Sequence, residues 1–424
     1  MIGGGVQRFL FEFRRALAAP SRNPRMAVVL GRLLGFAFLI CFGTGLYSHF
    51  LQDPLPWMHF ATRPVFLYQL TQGIHITAGI LCFPLLFAKL YSVFPELFQT
   101  PPVRGIRHLL ERGSIALFVA ASLVEITIGL LNTYQWYELF PFPFRQTHFA
   151  LSFVIIGSLA IHIAIKLPVI TKYWAKKDAY DDAGEVRELD RDEGEIFQPV
   201  AGELQPVGGV TGRVLSWIDR TPEPPKPQAS RRAFLTTVGI SAAALVGLTA
   251  GQSFRILDFS NVFGPRKNGI GPNALPVNRT AKAASVIEKA SAADWTLTVS
   301  NGDTRRVFSR AELLALQQYE VELPIACVEG WSQTASWKGP RLRDLMDSVG
   351  ADANASIRAT SLEEGSLYAV MSMKPEYVRD ELTLVALELN GDTLDLDHGY
   401  PARMIAPGRP GVLQTKWLTS LEVL

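Results

Sequence analysis

Leu323-Pro-Ile-Ala-Cys-Val328, running on into Glu329-Gly-Trp-Ser332, reads as an apolar strand that carries one thiol, Cys327, into a tight turn. Upstream, Trp295-Thr-Leu-Thr-Val-Ser300 alternates as a strand and Asn301-Gly302 marks a turn. Ser309 then caps a helix through Leu316, with Glu312 at the capping-box position. Downstream, 342–349 has helical spacing and is closed by Gly350, while 385–389, 403–406 and 418–423 read as further strands. The region from about 275 onward is therefore α+β, with strands dominant.

The first half is of another kind. Apolar runs long enough to cross a bilayer, which takes roughly 20 residues, lie near 26–47, 64–91, 113–133 and 147–170. A fifth, at 233–250, is milder and rich in Gly, Ala, Ser and Thr. Pro64 is expected in the first turn of the second run, where a missing N–H costs little. A chain of 424 residues has room for several domains, and its 48% apolar content suits one that is part membrane, part soluble. The net charge of +2 offers no basic field for a nucleic acid, which excludes that class of partner. Three cysteines make no disulfide framework; Cys41 and Cys82 fall in apolar runs, leaving Cys327 alone in the polar part.

Basic residues in the short loops set the expected orientation. Arg8, Arg14, Arg15, Arg22 and Arg25 precede the first run; Arg104, Arg107 and Arg112 lie between the second and third; Lys172, Lys176 and Lys177 follow the fourth. The 48–63 and 134–146 loops hold only Arg63 and Arg145. The N-terminus is expected in the cytoplasm, and five spans place residues from about 255 onward outside a bacterial plasma membrane. The expected domains are a cytoplasmic arm (1–25), a four-span membrane domain in contact with lipid (26–175), a cytoplasmic linker (176–229), a fifth span (230–254) and an extracytoplasmic domain (255–424). The linker carries an acidic run and the stiff Pro222-Glu-Pro-Pro-Lys-Pro227, with a short amphipathic helix expected at 212–219. Ser230-Arg-Arg-Ala-Phe-Leu235 resembles the twin-arginine export signal, departing from it at Thr236. That route implies export of an already folded domain; the plainer reading is positive charge flanking a span.

Six of the seven histidines precede residue 163. His148 and His162 are 14 residues apart, about 40° short of four turns, so they share a helix face with a rise of about 21 Å. His75 and His162 fall at similar depth in spans running the same way, as a bis-imidazole haem b requires. A second haem would use His148 with His49, or with His59; the alternative makes these interfacial histidines beside Tyr47, Trp57 and Trp136. Glu125 is read as a carboxyl paired within the bundle, or else a proton relay to quinone. Four spans with such a histidine pair resemble the b-type cytochrome subunits of bacterial membrane oxidoreductases, which implies electron exchange with quinone or another redox protein.

Ile325-Ala-Cys-Val-Glu-Gly-Trp-Ser332, then Trp337-Lys-Gly-Pro-Arg-Leu-Arg-Asp-Leu345, resembles the cysteine segment of the sulfite oxidase family. Asn390-Gly391, Asp397-His-Gly-Tyr-Pro-Ala-Arg403, Pro407-Gly408 and Gln414-Thr-Lys-Trp-Leu418 are similar to its pterin-binding segment in order and spacing. The resemblance implies molybdenum-molybdopterin held by the Cys327 thiolate, with His398, Arg403, Gln414, Thr415 and Lys416 as pterin contacts and Tyr368 beside the metal. It implies an enzyme of oxygen-atom transfer on a small-molecule oxo substrate. The family's sulfite-reading arginines are not matched after Cys327, which weakens sulfite as that substrate. The expected whole is an all-α bundle of about five transmembrane spans followed by an α+β sulfite oxidase-like domain, a molybdenum oxidoreductase exchanging electrons through haem b. The alternative is a non-catalytic transmembrane haem conduit, or a binding module, whose outer domain lacks metal.

Overall fold

The structure, a computed structural model, describes residues 21–98, 105–139, 142–176, 210, 213 and 230–424. Most of the expected arm and linker, including the helix at 212–219, lies outside the described residues.

The five apolar runs form helices α1 (Pro24–Gln52), α2 (Leu67–Val93), α3 (Ile106–Thr133), α4 (Phe144–Lys172) and α5 (Arg231–Thr249). Each is long and apolar enough to cross a membrane, and a helix closes its backbone hydrogen bonds within itself, as lipid demands. The helices outrun the apolar segments. α3 begins at Ile106 rather than 113 and takes in Arg107, His108, Glu111 and Arg112, because helical bonding continues where hydropathy falls. Pro64 stands ahead of α2 rather than in it: the Leu67 N–H donates to the Pro64 carbonyl at 3.0 Å, closing a turn before the helix starts. Ser230 caps α5 by accepting from the Ala233 N–H at 3.2 Å.

The chain divides into two compact units. The first, within Met1–Ile40, Ala78–Gly129 and Phe140–Leu245, is helical where described. Leu30, Phe38, Leu86, Phe118 and Ile155 meet in its core. Phe36, Leu39, Leu117 and Ile161 remain exposed, the apolar faces a bilayer would cover.

The second unit, within Cys41–Thr77, Leu130–Leu139 and Val246–Leu424, contains the described strands. They are β1 (Thr296–Asn301), β2 (Thr304–Ser309), β3 (Tyr319–Ala326), β4 (Ser332–Gly339), β5 (Ile357–Ser361), β6 (Val370–Met373), β7 (Leu384–Ala386), β8 (Glu388–Leu389), β9 (Asp392–Thr393), β10 (Arg403–Ile405) and β11 (Leu418–Val423). One sheet has the order β2-β1-β11-β5-β6, with β1 and β11 parallel; a second runs β3-β4-β8-β9; β10 pairs with β7. Leu297 and Val299 point inward from β1, with Leu345, Met346, Leu418 and Leu421 in the same core. The capping box at Ser309 and Glu312 starts a short helix, Arg310–Ala315, as its spacing predicts.

Two strands differ from their sequence patterns. The run through Val328 stops pairing at Ala326, since Cys327 turns its backbone to its own loop. The expected strand at 385–389 is split, β7 joining β10 and β8 joining β4.

β3 and β4 form a hairpin in register from Tyr319↔Gly339 to Ala326↔Ser332, so the turn that holds Cys327 caps a rigid ladder. Trp337 on β4 is fully buried and its Nε1–H donates to the Leu323 carbonyl at 3.2 Å. Trp337→Ala is expected to cost about 3–5 kcal/mol of stability, measurable as a fall in the denaturation midpoint; a change under about 1 kcal/mol would mean this hairpin is not a structural base.

Candidate functional site

Cys327 is 1% exposed and packs with Ile325, Leu275 and Trp331 at the end of the β3–β4 hairpin. Its turn is closed by the Cys327 N–H donating to the Trp331 carbonyl at 2.8 Å and the Gly330 N–H donating to the Cys327 carbonyl at 3.0 Å. Burial pushes the thiol well above its ordinary pKa, and the neighbouring Glu329 carboxylate adds to the rise. Glu329 is itself raised by burial. A thiol in such surroundings stays protonated unless a metal ion supplies the opposing charge. Among the described residues no three His, Cys, Asp or Glu side chains gather as a metal cage.

The 398–417 segment supplies a cationic cradle. Gly399 has φ +109, and a Cβ there would lie 3.0 Å from the Cβ atoms of Arg403 and Lys416, so glycine lets the backbone at these two residues approach. Arg403 is 1% exposed; its Nη1 donates to the His398 carbonyl at 3.0 Å and its Nη2 to the Gln414 carbonyl at 3.3 Å. Its guanidinium lies 5.0 Å over the Trp337 ring. The Lys416 Nζ donates to the carbonyls of Asp397 at 2.7 Å and Arg279 at 2.9 Å. Gln414 spends its amide on Ala406, donating to its carbonyl and accepting from its N–H, both at 2.8 Å. Arg403 Nε and Thr415 Oγ1 are buried without a hydrogen-bond partner among the described residues. Trp417 holds a left-handed φ of 51°, a backbone strain of the kind that concentrates at binding sites.

Burial brings Arg403 down to about 9. Burial, with the Arg403 charge added, brings Lys416 down to about 7. His398 is lowered to about 4 by burial and then by Arg403 and Lys416, so it is neutral at ordinary pH; its Nε2 lies 2.9 Å from the Pro272 carbonyl and 3.1 Å from that of Leu275. A buried arginine with an unspent Nε–H, a buried threonine hydroxyl and a half-buried lysine form a site that an anion would stabilise. An open hollow of about 500 Å³, lined by Pro272, Asn273, Ser291 and Tyr400 among others, borders the same segment.

The depressed pKa values give a pH signature. At Lys416 and His398 the unfolded chain binds more protons than the folded one, so these two groups make stability rise with pH. The Lys416 contribution is lost as pH falls from 10.5 to about 7. That of His398 is lost from 6.5 to about 4. Thermal midpoints of cofactor-free protein should therefore climb from about pH 7 to 9, and Lys416→Met should flatten that rise. A midpoint that falls with pH would contradict the assignment.

Tyr368 is partly buried in a turn where its N–H donates to Ser366 Oγ at 3.1 Å. The Tyr137 hydroxyl is raised by burial and then by the charges of Glu329, Cys327 and Tyr368, which places these groups in one neighbourhood.

The helical histidines have distinct settings. His75 Nδ1 is 3.0 Å from the Cys41 carbonyl and 3.1 Å from Thr44 Oγ1. With Nδ1–H given to a carbonyl, Nε2 carries the lone pair that a metal would take. His162 stacks on Phe118 at 6.5 Å, and its buried Nδ1 has no hydrogen-bond partner among the described residues. His148 Nδ1 lies 3.3 Å from Glu125 Oε1. His59 faces Glu376 at 3.4 Å, and His49 meets the Phe50 ring edge-on.

Sequence reasoning missed a polar set from the helix ends. Asn132 Nδ2 donates to the Val328 carbonyl at 3.0 Å and Gln72 Nε2 to the same oxygen at 3.4 Å. Gln135 Nε2 donates to Glu329 Oε1 at 2.6 Å, and Gln69 Nε2 to Ser332 Oγ at 3.1 Å. Arg409 was missed as well: it is 6% exposed, lowered to about 10 by burial, and donates to the Ser372 carbonyl at 3.0 Å. Amides at the ends of apolar runs, and an arginine directly after Pro407-Gly408, were the available signals.

Residues 283–424 match the family model for an oxidoreductase molybdopterin binding domain. The chain is similar to the sulfite oxidase of Arabidopsis thaliana, 25% identical over 38% of this chain and 50% of that protein. It is also similar to a putative protein-methionine-sulfoxide reductase subunit, YedZ1, of Azospira oryzae, 26% identical over 32% of this chain and 52% of that one. Among solved structures, the sulfane dehydrogenase SoxCD of Paracoccus pantotrophus aligns at 24% identity and a TM-score of 0.29, over 31% of this chain and 38% of that one. The chain thus spans about half the length of the two curated relatives named here.

Proposed function

We propose that the chain is a membrane-bound molybdenum oxidoreductase of the sulfite oxidase family acting on a small S- or N-oxo substrate, a reading supported by the match of residues 283–424 to the molybdopterin-binding oxidoreductase model and by the similarity to a sulfite oxidase. The observation that carries this reading is the buried Arg403 Nε and Thr415 Oγ1 without hydrogen-bond partners among the described residues, with the half-buried Lys416 ammonium next in the chain, on the same unit as the buried Cys327 thiol. Cys327 would be the thiolate ligand, a donor suited to a soft metal site. Arg403 and Lys416 would pair with the cofactor phosphate, Thr415 Oγ1 would donate to it, and neutral His398 and Gln414 would hold the cradle's shape. When bound, the cofactor supplies two-electron oxygen-atom transfer. Tyr368 is proposed to hold a proton near the metal, and Cys327's apolar packing keeps bulk water from the thiolate.

Electrons are proposed to be exchanged with the quinone pool, or with another redox protein, through haem b held by His75 and His162. The carbonyl contact of His75 and the unpaired Nδ1 of His162 support these roles. His148, with Glu125 beside it, and His49 would serve a second haem. The proposed placement is an N-terminus in the cytoplasm and residues from about 255 outside the bacterial plasma membrane, the Arg231-Arg232 signal sending the domain across already loaded.

The test is a panel of sulfite, sulfoxides and N-oxides assayed with a redox dye on metal-loaded protein. Turnover of at least one, lost in Cys327→Ser, is expected; no turnover of any, with haem in place, favours an electron conduit.

A further inference from the structure

The turn that carries Cys327 is held largely by side chains from the outer ends of the membrane helices. The Val328 carbonyl, one residue past the thiol, is bound by no backbone N–H described for this turn. It takes the Asn132 amide at 3.0 Å and, at the long end of the hydrogen-bond range, the Gln72 amide at 3.4 Å. Asn132 is 6% exposed. Its orientation is fixed from behind, since the Tyr137 hydroxyl donates to Asn132 Oδ1 at 2.7 Å. Flipped, the amide would set oxygen against the Val328 oxygen, so only one assignment satisfies both neighbours.

The remaining residues of the turn are held in the same way. Gln135, itself accepting from Arg266 Nη2 at 2.8 Å, holds Glu329. A Cβ on Gly330, whose φ is +96, would come within 3.0 Å of Ile76, so glycine lets the turn lie against α2. Ser332 Oγ is held by Gln69 and donates to the Ser253 carbonyl at 3.0 Å. Ala326, just before the thiol, packs with Leu51 and Tyr68.

We infer that Asn132, oriented by Tyr137, is a positioning residue for the Cys327 turn, so that the outer end of α3 sets how the thiol is presented to the metal. This rests on Cys327 being the ligand. A carbonyl next to the ligand that loses its strongest donor has no second donor of equal geometry, and the peptide after Cys327 becomes free to rotate.

The experiment uses the full chain in detergent with Asn132→Leu, Asn132→Gln and Tyr137→Phe. Two quantities are read: molybdenum retained per chain, and the rate at which N-ethylmaleimide labels Cys327 in cofactor-free protein. The rate is followed by peptide mass spectrometry, with Cys41 as internal control. Asn132→Leu is expected to weaken molybdenum retention about 10- to 100-fold, the range for lost outer-shell partners, and to raise Cys327 labelling about fivefold, the equivalent of one hydrogen bond. Tyr137→Phe, which loses only a hydroxyl from a part-exposed ring, should shift both in the same direction by about twofold, and Asn132→Gln should recover most of the loss. Should Asn132→Leu not fold, Tyr137→Phe decides alone. Wild-type retention and labelling in Asn132→Leu and Tyr137→Phe would overturn the inference, as would a rise in labelling shared equally by Cys41. Labelling needs no metal, so absence of molybdenum from the wild type would sink the proposed function while the positioning claim is still read.

Discussion

Cys327→Ser should reduce metal-dependent turnover by more than about 100-fold, the upper end of what loss of an outer-shell partner costs, with the fold intact. The physical basis is the difference between the two side chains. A hydroxyl is a far weaker, harder ligand than a thiolate, and on the proposed reading metal coordination would stabilise the anion in a site where burial and Glu329 both oppose it. Serine is smaller than cysteine by little, and the turn is closed by backbone bonds that the substitution leaves in place. The denaturation midpoint of cofactor-free protein should therefore move by less than about 1 kcal/mol equivalent. A variant that keeps a tenth or more of wild-type turnover would show that Cys327 is a packing residue.

Arg403→Met should lower cofactor affinity by about 2–5 kcal/mol, the cost of removing one partner from a buried charge pair, or roughly 30-fold to several thousandfold. Its effect on the cofactor-free protein should be much smaller. Met loses two hydrogen bonds to carbonyls, at 3.0 and 3.3 Å, but also removes a buried cation that burial penalises. Replacing such a charge by an apolar side chain of similar length is often neutral. Cofactor content per folded chain and the apo denaturation midpoint separate the two effects. A large fall in midpoint with unchanged cofactor content would make Arg403 a structural arginine and remove the cradle's main support.

The spans were legible because roughly 20 apolar residues in a row have few other fates. Their ends were not, since hydropathy reports burial in lipid whereas helical bonding runs on through Arg107, His108 and Glu111 at the start of α3. Within the domain, alternation and the capping box at Ser309 located β1 and the following helix. The break at Cys327 was hidden, because an apolar run looks the same whether its last residues pair across a ladder or fold into a turn.

Cys327 could be named from one short segment, and Arg403, Thr415 and Lys416 from another, each with its members close along the chain. Asn132, Gln72 and Gln135 could not. They come from segments 194 to 256 residues away, and a lone amide at a helix end reads as an interfacial residue until its partner is known. His148 gives the same lesson: its spacing to His162 is legible, but the Glu125 carboxylate beside it belongs to another helix.

The account is tested most directly by measuring molybdenum and haem per chain in purified wild-type protein and in Cys327→Ser. It predicts about one molybdenum per chain in the wild type, lost or loosely held in the variant while haem is unchanged. Haem without molybdenum in the wild type, or molybdenum held equally by both proteins, would contradict it.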